Sequence, residues 1–518
     1  MRKIGLLAVC ASAAIGVALA GEAVRAETIR VAVNADIRST YPGVNRDSNT
    51  DAVMHHIVEG LVAFTSDGSV APSLAEKVET PDGGKTWVFS LRDGVTFHNG
   101  EPVTAEDVLF IWDKYLDEAT KWRCYKDFAE GNAAVESIEK EDDRTVVFTL
   151  KQPSALFLGL MARIDCAAGA IVHEDSFAAD GSWSAPIGTG PYKIGEWRQG
   201  EFIELEKFAG YKPRPEPRDG YAGARIAEAD KVRFVVIPDG AATKAALLSG
   251  SIDVYPDISV NDVEEFKASQ GVKVGIADTM NLSGILMQTT DPLLGKVKLR
   301  EAIAHAIDTA GLVQVLTLGT AKPNNSPIPV VSAYHGKLQS ALFSYDPERA
   351  RKLAAEAGYK GETIKMLTTK RYQTAFDVAV IAQAMAKQAG INIELEVLEW
   401  ATLLDKYLAG DYQMMSFLYS ARLDPSLSFD MFSGPKAEQP RKVWDNPEAQ
   451  ALIEQSMRIA DKGERETIFN RLEEMFRADV PMLVLYNGPD IAAYSDKLVG
   501  YEAWMAGTPR LWGVSTGK

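Results

Sequence analysis

The sequence predicts an α/β fold, and three stretches carry the prediction. In the first, a β-branched apolar run (Val232, Phe234, Val235, Val236, Ile237) is broken by Pro238-Asp239-Gly240, and a helix-forming stretch over 241–248 follows. Gly250 stands where a helix ends in a left-handed residue, and extended structure resumes over 252–255. A strand, crossover helix and strand this compact imply a parallel pair. In the second stretch, residues 346–420, helical and extended patterns alternate. The third, residues 59–115, mixes strands, turns and one capped helix, so a smaller α+β region is expected beside the α/β parts.

The N-terminus reads as an export signal. Arg2 and Lys3 precede an alanine-rich apolar stretch over 4–19, and Ala18-Leu19-Ala20 and Val24-Arg25-Ala26 both suit cleavage. Cleavage after Ala26 is preferred, because Glu27-Thr28-Ile29-Arg30-Val31-Ala32-Val33 then opens the mature chain as a strand. The stretch is too short and too interrupted by glycine and serine for a retained membrane anchor. Cys10 does not suit lipidation, since Val9 is too large for the residue before it. The remaining chain of about 490 residues has room for two to four domains of about 150 residues each. Loss of Arg2, Lys3 and Arg25 with Glu22 makes the formal charge of −16 two units more negative. An acidic chain without basic–aromatic clusters argues against nucleic acid and against anionic membranes as partners.

Along the chain, 86–91 (TWVFSL) alternates as a half-buried strand between the turns Asp82-Gly83-Gly84 and Arg92-Asp93-Gly94. Thr104 and Asp107 form a capping box for a helix that buries Val108, Ile111, Trp112 and Tyr115. Leu299, Ala302, Ile303, Ala306 and Ile307 make an apolar helical stripe, and Asp308 caps the next helix. Asp346-Pro347 starts a helix that Gly358 stops. Then come a strand over 363–369, a helix over 372–389, a strand over 391–400, and a further helix and strand over 400–425. Residues 481–500 return to strands.

Enzymatic motifs are missing. There is no G-x-S-x-G elbow, no H-E-x-x-H and no cysteine pair at metal spacing. Gly188-Thr189-Gly190-Pro191 has neither a lysine nor a following helix, so it fails as a phosphate loop. Ser515-Thr516-Gly517-Lys518 has S-x-x-K spacing but lies on the last residues. His55 and His56 read as part of the polar face of a helix leading into Glu59-Gly60, and His305 as solvated. His98 falls in a turn, and His173 and His335 lack partners in sequence. No metal and no cofactor is expected. With Cys10 removed, Cys124 and Cys166 form an even pair in an oxidising compartment, where a disulfide is the default and two buried thiols the alternative.

The segments PIGTGPYKIGEW (186–197), VRFVVIPDGAATKAALLSGSIDVYPDI (232–258) and FHNGEPVTAEDV (97–108), with the blocks that follow in order, resemble the extracellular solute-binding proteins of peptide-type ABC importers, solute-binding family 5. The resemblance covers essentially all of the chain after residue 26. It implies a two-lobed periplasmic binding protein (type II, cluster C) with an extra small α+β domain. Lobe I would comprise 27–59, 188–278 and 483–518, the extra domain 60–187, and lobe II 279–482. The implied protein is a periplasmic monomer that binds without turnover. It would close its lobes on a small ligand and pass it to an ABC permease and ATPase complex in the inner membrane. An exported hydrolase, or a sensor presenting ligand to a chemoreceptor, is the rival class.

The same resemblance places ligand contacts, and here the sequence departs from the family. At the Glu399-Trp400 pair the family sets a ligand-facing aromatic, for which core packing is the alternative. Tyr419 stands where a tryptophan is typical, shortly before an aspartate that pairs with a peptide's α-amine. Aligning Tyr419-Ser420-Ala421 with that motif puts Arg422 in the aspartate's place, and Asp424-Pro425 matches the acidic-Pro step after it. The first-lobe contact loop falls on Arg46-Asp47-Ser48-Asn49, with Arg46 where an acid can occur. Two guanidiniums in place of two acids would turn a cation-seeking cleft into one seeking carboxylate, such as an opine's. The other reading is that each arginine merely pairs with its neighbour, Asp47 or Asp424, and that the protein is an ordinary di- or oligopeptide binder.

Overall fold

The structure is a computed structural model and describes residues 27–517, so the export signal and Cys10 lie outside the described residues. The strand Thr28–Val33 sits inside a seven-stranded sheet. Ile29 and Val31 are fully buried, as alternation over a covered sheet requires. Lys231–Val236, Gly240–Leu248 and Val254–Tyr255 form the expected strand, helix and strand. Asp239 caps the helix by accepting from the Ala242 N–H at 2.8 Å, and Gly250 follows it with φ +73°. The two strands are parallel but not adjacent. Thr28–Val33 lies between them, paired in parallel with both (Val31 opposite Phe234 and Val254). A nine-residue helix spans two strand spacings of about 4.8 Å without difficulty, so the gap is open to the N-terminal strand. The antiparallel strands Tyr192–Arg198 and Phe202–Lys207 extend one side of this sheet. Val272–Asp278 and Pro489–Ser495 extend the other.

A second sheet of five strands runs in the order Ile393–Val397, Ile364–Thr368, Met414–Tyr419, Leu282–Met287, Met482–Tyr486. Its helices follow the sequence signals. Asp308 caps Thr309–Thr317 through the Gly311 N–H at 2.9 Å, and Pro347 opens Pro347–Glu356. A third, four-stranded antiparallel sheet (Ala75–Glu79, Thr86–Leu91, Thr145–Leu150, Val135–Asp142) carries the helix Ala105–Tyr115, whose capping box of Thr104 and Asp107 is formed. Trp112 is fully buried, edge-on to Phe128 and Phe148 at 5.0 Å each. Trp87 is also in the core.

The chain crosses between the two large sheets twice, at residues 279–281 and 487–488. The crossings are bonded together, Thr279 N–H to the Gly488 carbonyl (3.2 Å) and the Asn487 amide to the Asn281 carbonyl (2.8 Å). Met482–Tyr486 belongs wholly to the five-stranded sheet. The chain therefore leaves that lobe at Asn487-Gly488 rather than at 483. The apolar run MLVLY carried no sign of which sheet it would join. No helix among the described residues is long and apolar enough to cross a membrane.

Two sequence expectations are corrected. His55 and His56 are buried, not part of a polar face. The helix Ser48–Met54 ends at His55, and the turn beyond it is enclosed by distant segments. His55 Nε2 reaches the Ile164 carbonyl (2.9 Å). His56 Nδ1 donates to the Ala52 carbonyl (2.8 Å) while Nε2 accepts from the Leu511 N–H (3.0 Å). His305 is likewise covered, its Nδ1 2.7 Å from the Ser344 carbonyl, because the chain ahead of Asp346 folds back over its helix.

Burial lowers the His56 pKa from 6.5 to about 3, so the unfolded chain takes up a proton that the folded chain refuses. The stability that neutral His56 contributes is complete above pH 6.5 and is lost as pH falls toward 3. In urea titrations, the stability gap between wild type and His56→Gln is expected to narrow by about 1–2 kcal/mol from pH 7 to pH 5. A gap independent of pH would show that His56 titrates in the folded protein as it does in the unfolded chain, as a solvated imidazole would.

Candidate ligand-binding cleft

A cleft of about 1340 Å³ opens between the bodies built on the three sheets. Its walls come from the first lobe (Val33, Ser48, Tyr255), the small domain (Trp87, Arg123, Arg163) and the second lobe (Ser420, Arg422, Tyr334). A second chamber of about 780 Å³ adjoins it, and Asn281, Ser420, Arg422 and Pro489 line both.

The strand Met414–Tyr419 delivers Ser420 and Arg422 to this junction. The Nη1 of Arg422 donates to Ser420 Oγ (2.9 Å) and to the carbonyls of Ser420 (3.3 Å) and Ala421 (3.1 Å). No carboxylate pairs with Arg422 among the described residues. Asp424 is not its partner. The Arg465 guanidinium holds both Asp424 oxygens, at 2.6 and 2.7 Å, and Asp424 also caps Pro425–Asp430 through the Ser426 N–H at 2.9 Å.

Arg46 lines the cleft but pairs with Asp51, one and a half helical turns on, rather than with Asp47. Asp47 lines neither chamber. It caps Ser48–Met54 by accepting from the N–H and hydroxyl of Thr50, each at 2.9 Å. Ser48 and Asn49 reach the cleft from the first turn of that helix, and Asn49 is tied to Asn34 and the Ala35 carbonyl. Burial raises the Asp51 carboxyl to about 7, against the pull of Arg46.

Trp400 and Tyr419 face the second chamber. Trp400 opens the helix Trp400–Ala409, half-buried, stacked over Phe417 at 6.1 Å and edge-on to Tyr372 at 4.9 Å. Tyr419 is buried, and its hydroxyl lies 3.1 Å from that of Tyr407, which also accepts from Arg441 at 3.0 Å. The structure thus gathers Arg46, Ser48, Asn49, Ser420, Arg422 and Asp424 around one cleft and Trp400 and Tyr419 around its side chamber, leaving Asp47 as the helix N-cap outside both.

Sequence reasoning missed the small-domain wall. Cys124 and Cys166 are joined, with a Cα–Cα distance of 5.8 Å. This brings Arg123 to 3.4 Å from Asp165, while Arg163 grips Asp165 at 2.7 and 3.0 Å and Asp127 at 2.6 Å. The cysteine pair held the signal, since bridging it must bring together the charges that flank it. The other histidines bond to backbone, His98 to the Gly190 carbonyl and His335 to the Ile328 carbonyl. Of the described side chains, one trio is grouped closely enough for a metal, Cys124, Asp165 and Cys166, and its sulfurs are in the disulfide.

Two lobes joined by a double crossing, a third small domain and a cleft between them define a two-lobed periplasmic binding protein. The sequence profile of the bacterial extracellular solute-binding proteins, family 5 Middle, matches residues 69–439. The glutathione-binding protein GsiB of Pectobacterium atrosepticum is 25% identical over 484 residues, covering 91% of this chain and 90% of that protein. The oligopeptide-binding protein AppA of Bacillus subtilis is 26% identical over 481 residues, covering 88% and 85%. The crystal structure of the ABC transporter substrate-binding protein CtaP from Listeria monocytogenes superposes with a TM-score of 0.81 at 22% identity, covering 95% of this chain and all of that one. The chain belongs to the family 5 extracellular solute-binding proteins and is an ABC-transporter substrate-binding protein. Proteins of this kind bind small ligands and work with a membrane permease and ATPase.

Proposed function

We propose that this protein captures, in the periplasm, a small polar ligand bearing a carboxylate, either peptide-like or a sugar–amino-acid conjugate such as an opine. Lobe closure holds the ligand for delivery to an ABC importer without turnover. The observation that carries this reading is Arg422. It projects into the junction of both chambers with two of its three nitrogens unengaged and no carboxylate partner among the described residues. The local charge supports it. Seven basic and seven acidic side chains line the cleft, but burial pushes Asp51 to about 7 and Asp490 to about 6, and Asp257 upward. The cleft is therefore less negative than the chain's formal −16 suggests. Glutathione, the ligand in the name of one relative, is a carboxylate-bearing peptide of this class. In this arrangement Arg422 takes the carboxylate bidentately, Ser48 and Ser420 offer hydroxyls, and Trp400 and Tyr419 cover an apolar or ring face.

A second reading, an ordinary di- or oligopeptide binder, is favoured by the acidic side chains Asp257 and Asp490 on the cleft wall, which could seat a free amine. Mass spectrometry of ligand released from the purified protein, followed by thermal shift with that compound and its ester, separates the two. A good ligand at a hundred times its Kd should stabilise the protein by about 2.7 kcal/mol. The ester should do so far less. Equal stabilisation by acid and ester would favour the second reading. Conversion of the compound to product by catalytic amounts of protein would make this an enzyme.

A further inference from the structure

The loop that carries Arg422 is tied to the crossing between the lobes. The antiparallel ladder of Leu282–Met287 with Met414–Tyr419 ends with Leu282 opposite Tyr419. Beyond it the contact is made by a side chain. Asn281 Oδ1 accepts from the Ala421 N–H at 2.8 Å, and only the oxygen end of an amide can meet an N–H. The peptide group between Ser420 and Ala421 is thus held at both ends. Its N–H goes to Asn281, and its carbonyl, that of Ser420, accepts from Arg422 Nη1 at 3.3 Å. A trans peptide is planar, with N–H and C=O pointing opposite ways, so fixing one direction fixes the other. The other two bonds of the guanidinium, to Ser420 Oγ and the Ala421 carbonyl, hang from the same two residues. The position of Asn281 therefore sets how Arg422 is presented to the two chambers, both of which Asn281 lines.

Asn281 is in turn set by the crossings. Its carbonyl accepts from the Asn487 amide at 2.8 Å, and its N–H donates to Thr279 Oγ1 at 3.2 Å. The Thr279 hydroxyl donates to the Gly488 carbonyl at 2.5 Å, so it joins the two crossings to each other and to Asn281. Asn487 is buried, and its Oδ1 is fixed by the Asn324 amide at 3.0 Å and the Val330 N–H at 3.1 Å. When two lobes rotate about a hinge, a few connecting residues absorb the change in φ and ψ. Here those residues hold the loop that bears Arg422.

We propose that Asn281 is a positioning residue for Arg422, so that bending of the crossings on closure carries the arginine's loop with it. This rests on the reading of Arg422 as the ligand's anchor, and it adds that seating of the anchor and closure of the lobes are one coupled movement. A ligand held by Arg422 then biases the hinge from within its own lobe, in addition to any contact it makes with the facing lobe.

Amide hydrogen exchange on protein stripped of bound compounds tests the coupling without knowledge of the natural ligand. Asn281→Ala should speed exchange of the Ala421 N–H by at least about fivefold, through loss of its one acceptor. Asn281→Asp keeps an acceptor oxygen in the same place and should hold exchange near the wild-type rate. Thr279→Val keeps the side-chain shape and removes the hydroxyl between the crossings. It should also speed exchange at Ala421, although the hydrogen bonds of that hydroxyl go to Gly488 and Asn281 and not to the loop. The amides of Leu282–Met287 should keep their wild-type rates in all three variants. Modification of Arg422 by phenylglyoxal, followed by mass spectrometry of its peptide, should quicken in Asn281→Ala and Thr279→Val. Unchanged exchange at Ala421 in Asn281→Ala or in folded Thr279→Val would overturn the proposal. So would an Asp variant as fast as the Ala variant, a rise spread equally through Leu282–Met287, or faster exchange at Ala421 with no change at Arg422. None of these readings involves a ligand, so the acid-against-ester comparison decides the anchor reading separately.

Discussion

Arg422→Ala is expected to weaken ligand binding by about 30-fold or more while leaving the fold intact. Truncating an arginine that pairs with a charge in a desolvated site removes about 2–5 kcal/mol. The fold should survive because the hydrogen bonds of the guanidinium go to Ser420 and Ala421, both in its own loop, and no ion pair among the described residues is broken. Arg422→Lys should rescue poorly, since an ammonium cannot present two parallel N–H groups to one carboxylate. Calorimetry on wild type and both variants, with the ligand identified by mass spectrometry and with its amide or ester, provides the check. Normal binding by Arg422→Ala, or equal affinity for the charged and neutralised ligand, would return the protein to the peptide-binding reading.

Replacing both bridged cysteines, Cys124→Ala with Cys166→Ala, should lower stability by about 4 kcal/mol in the chain-entropy account for a sequence separation of 42 residues. Urea unfolding of oxidised wild type, reduced wild type and the double variant measures it. The last two should resemble each other, because both sulfurs are fully buried and alanine leaves only a small void. Thiol labelling of denatured, unreduced protein should find no reactive group at either position, and two would show that the bridge does not form. The change should also disturb the cleft, since Arg123 and Asp165 are the residues next to the two sulfurs.

Much of the architecture is legible in local patterns. The alternation of TWVFSL, the Thr104–Asp107 capping box, Asp308 and Pro347 at helix starts, and the strand–helix–strand of 231–255 all act within a few residues, where the backbone's own hydrogen bonding decides the outcome. The export pattern is likewise a linear feature of the sequence, and it lies outside the described residues. The composition of the cleft was legible only in part. Arg422 stood out because one charge replaced its opposite at a recognisable position, and Trp400 because it joined a strand to a helix in polar surroundings.

What the sequence by itself determined is therefore the set of elements and the types of side chain offered to a ligand. The tertiary structure alone decided their partners. Whether Arg46 pairs with Asp47 or Asp51 depends on which acid the helix Ser48–Met54 turns toward the cleft. That Asp424 is taken by Arg465, leaving Arg422 free, depends on a helix some forty residues further along the chain. The burial of His55, His56 and His305 and the insertion of Thr28–Val33 between two parallel strands have the same origin. Charge pairing and burial follow distances through space, and these are set by contacts between segments far apart in the chain, which no local period or motif encodes.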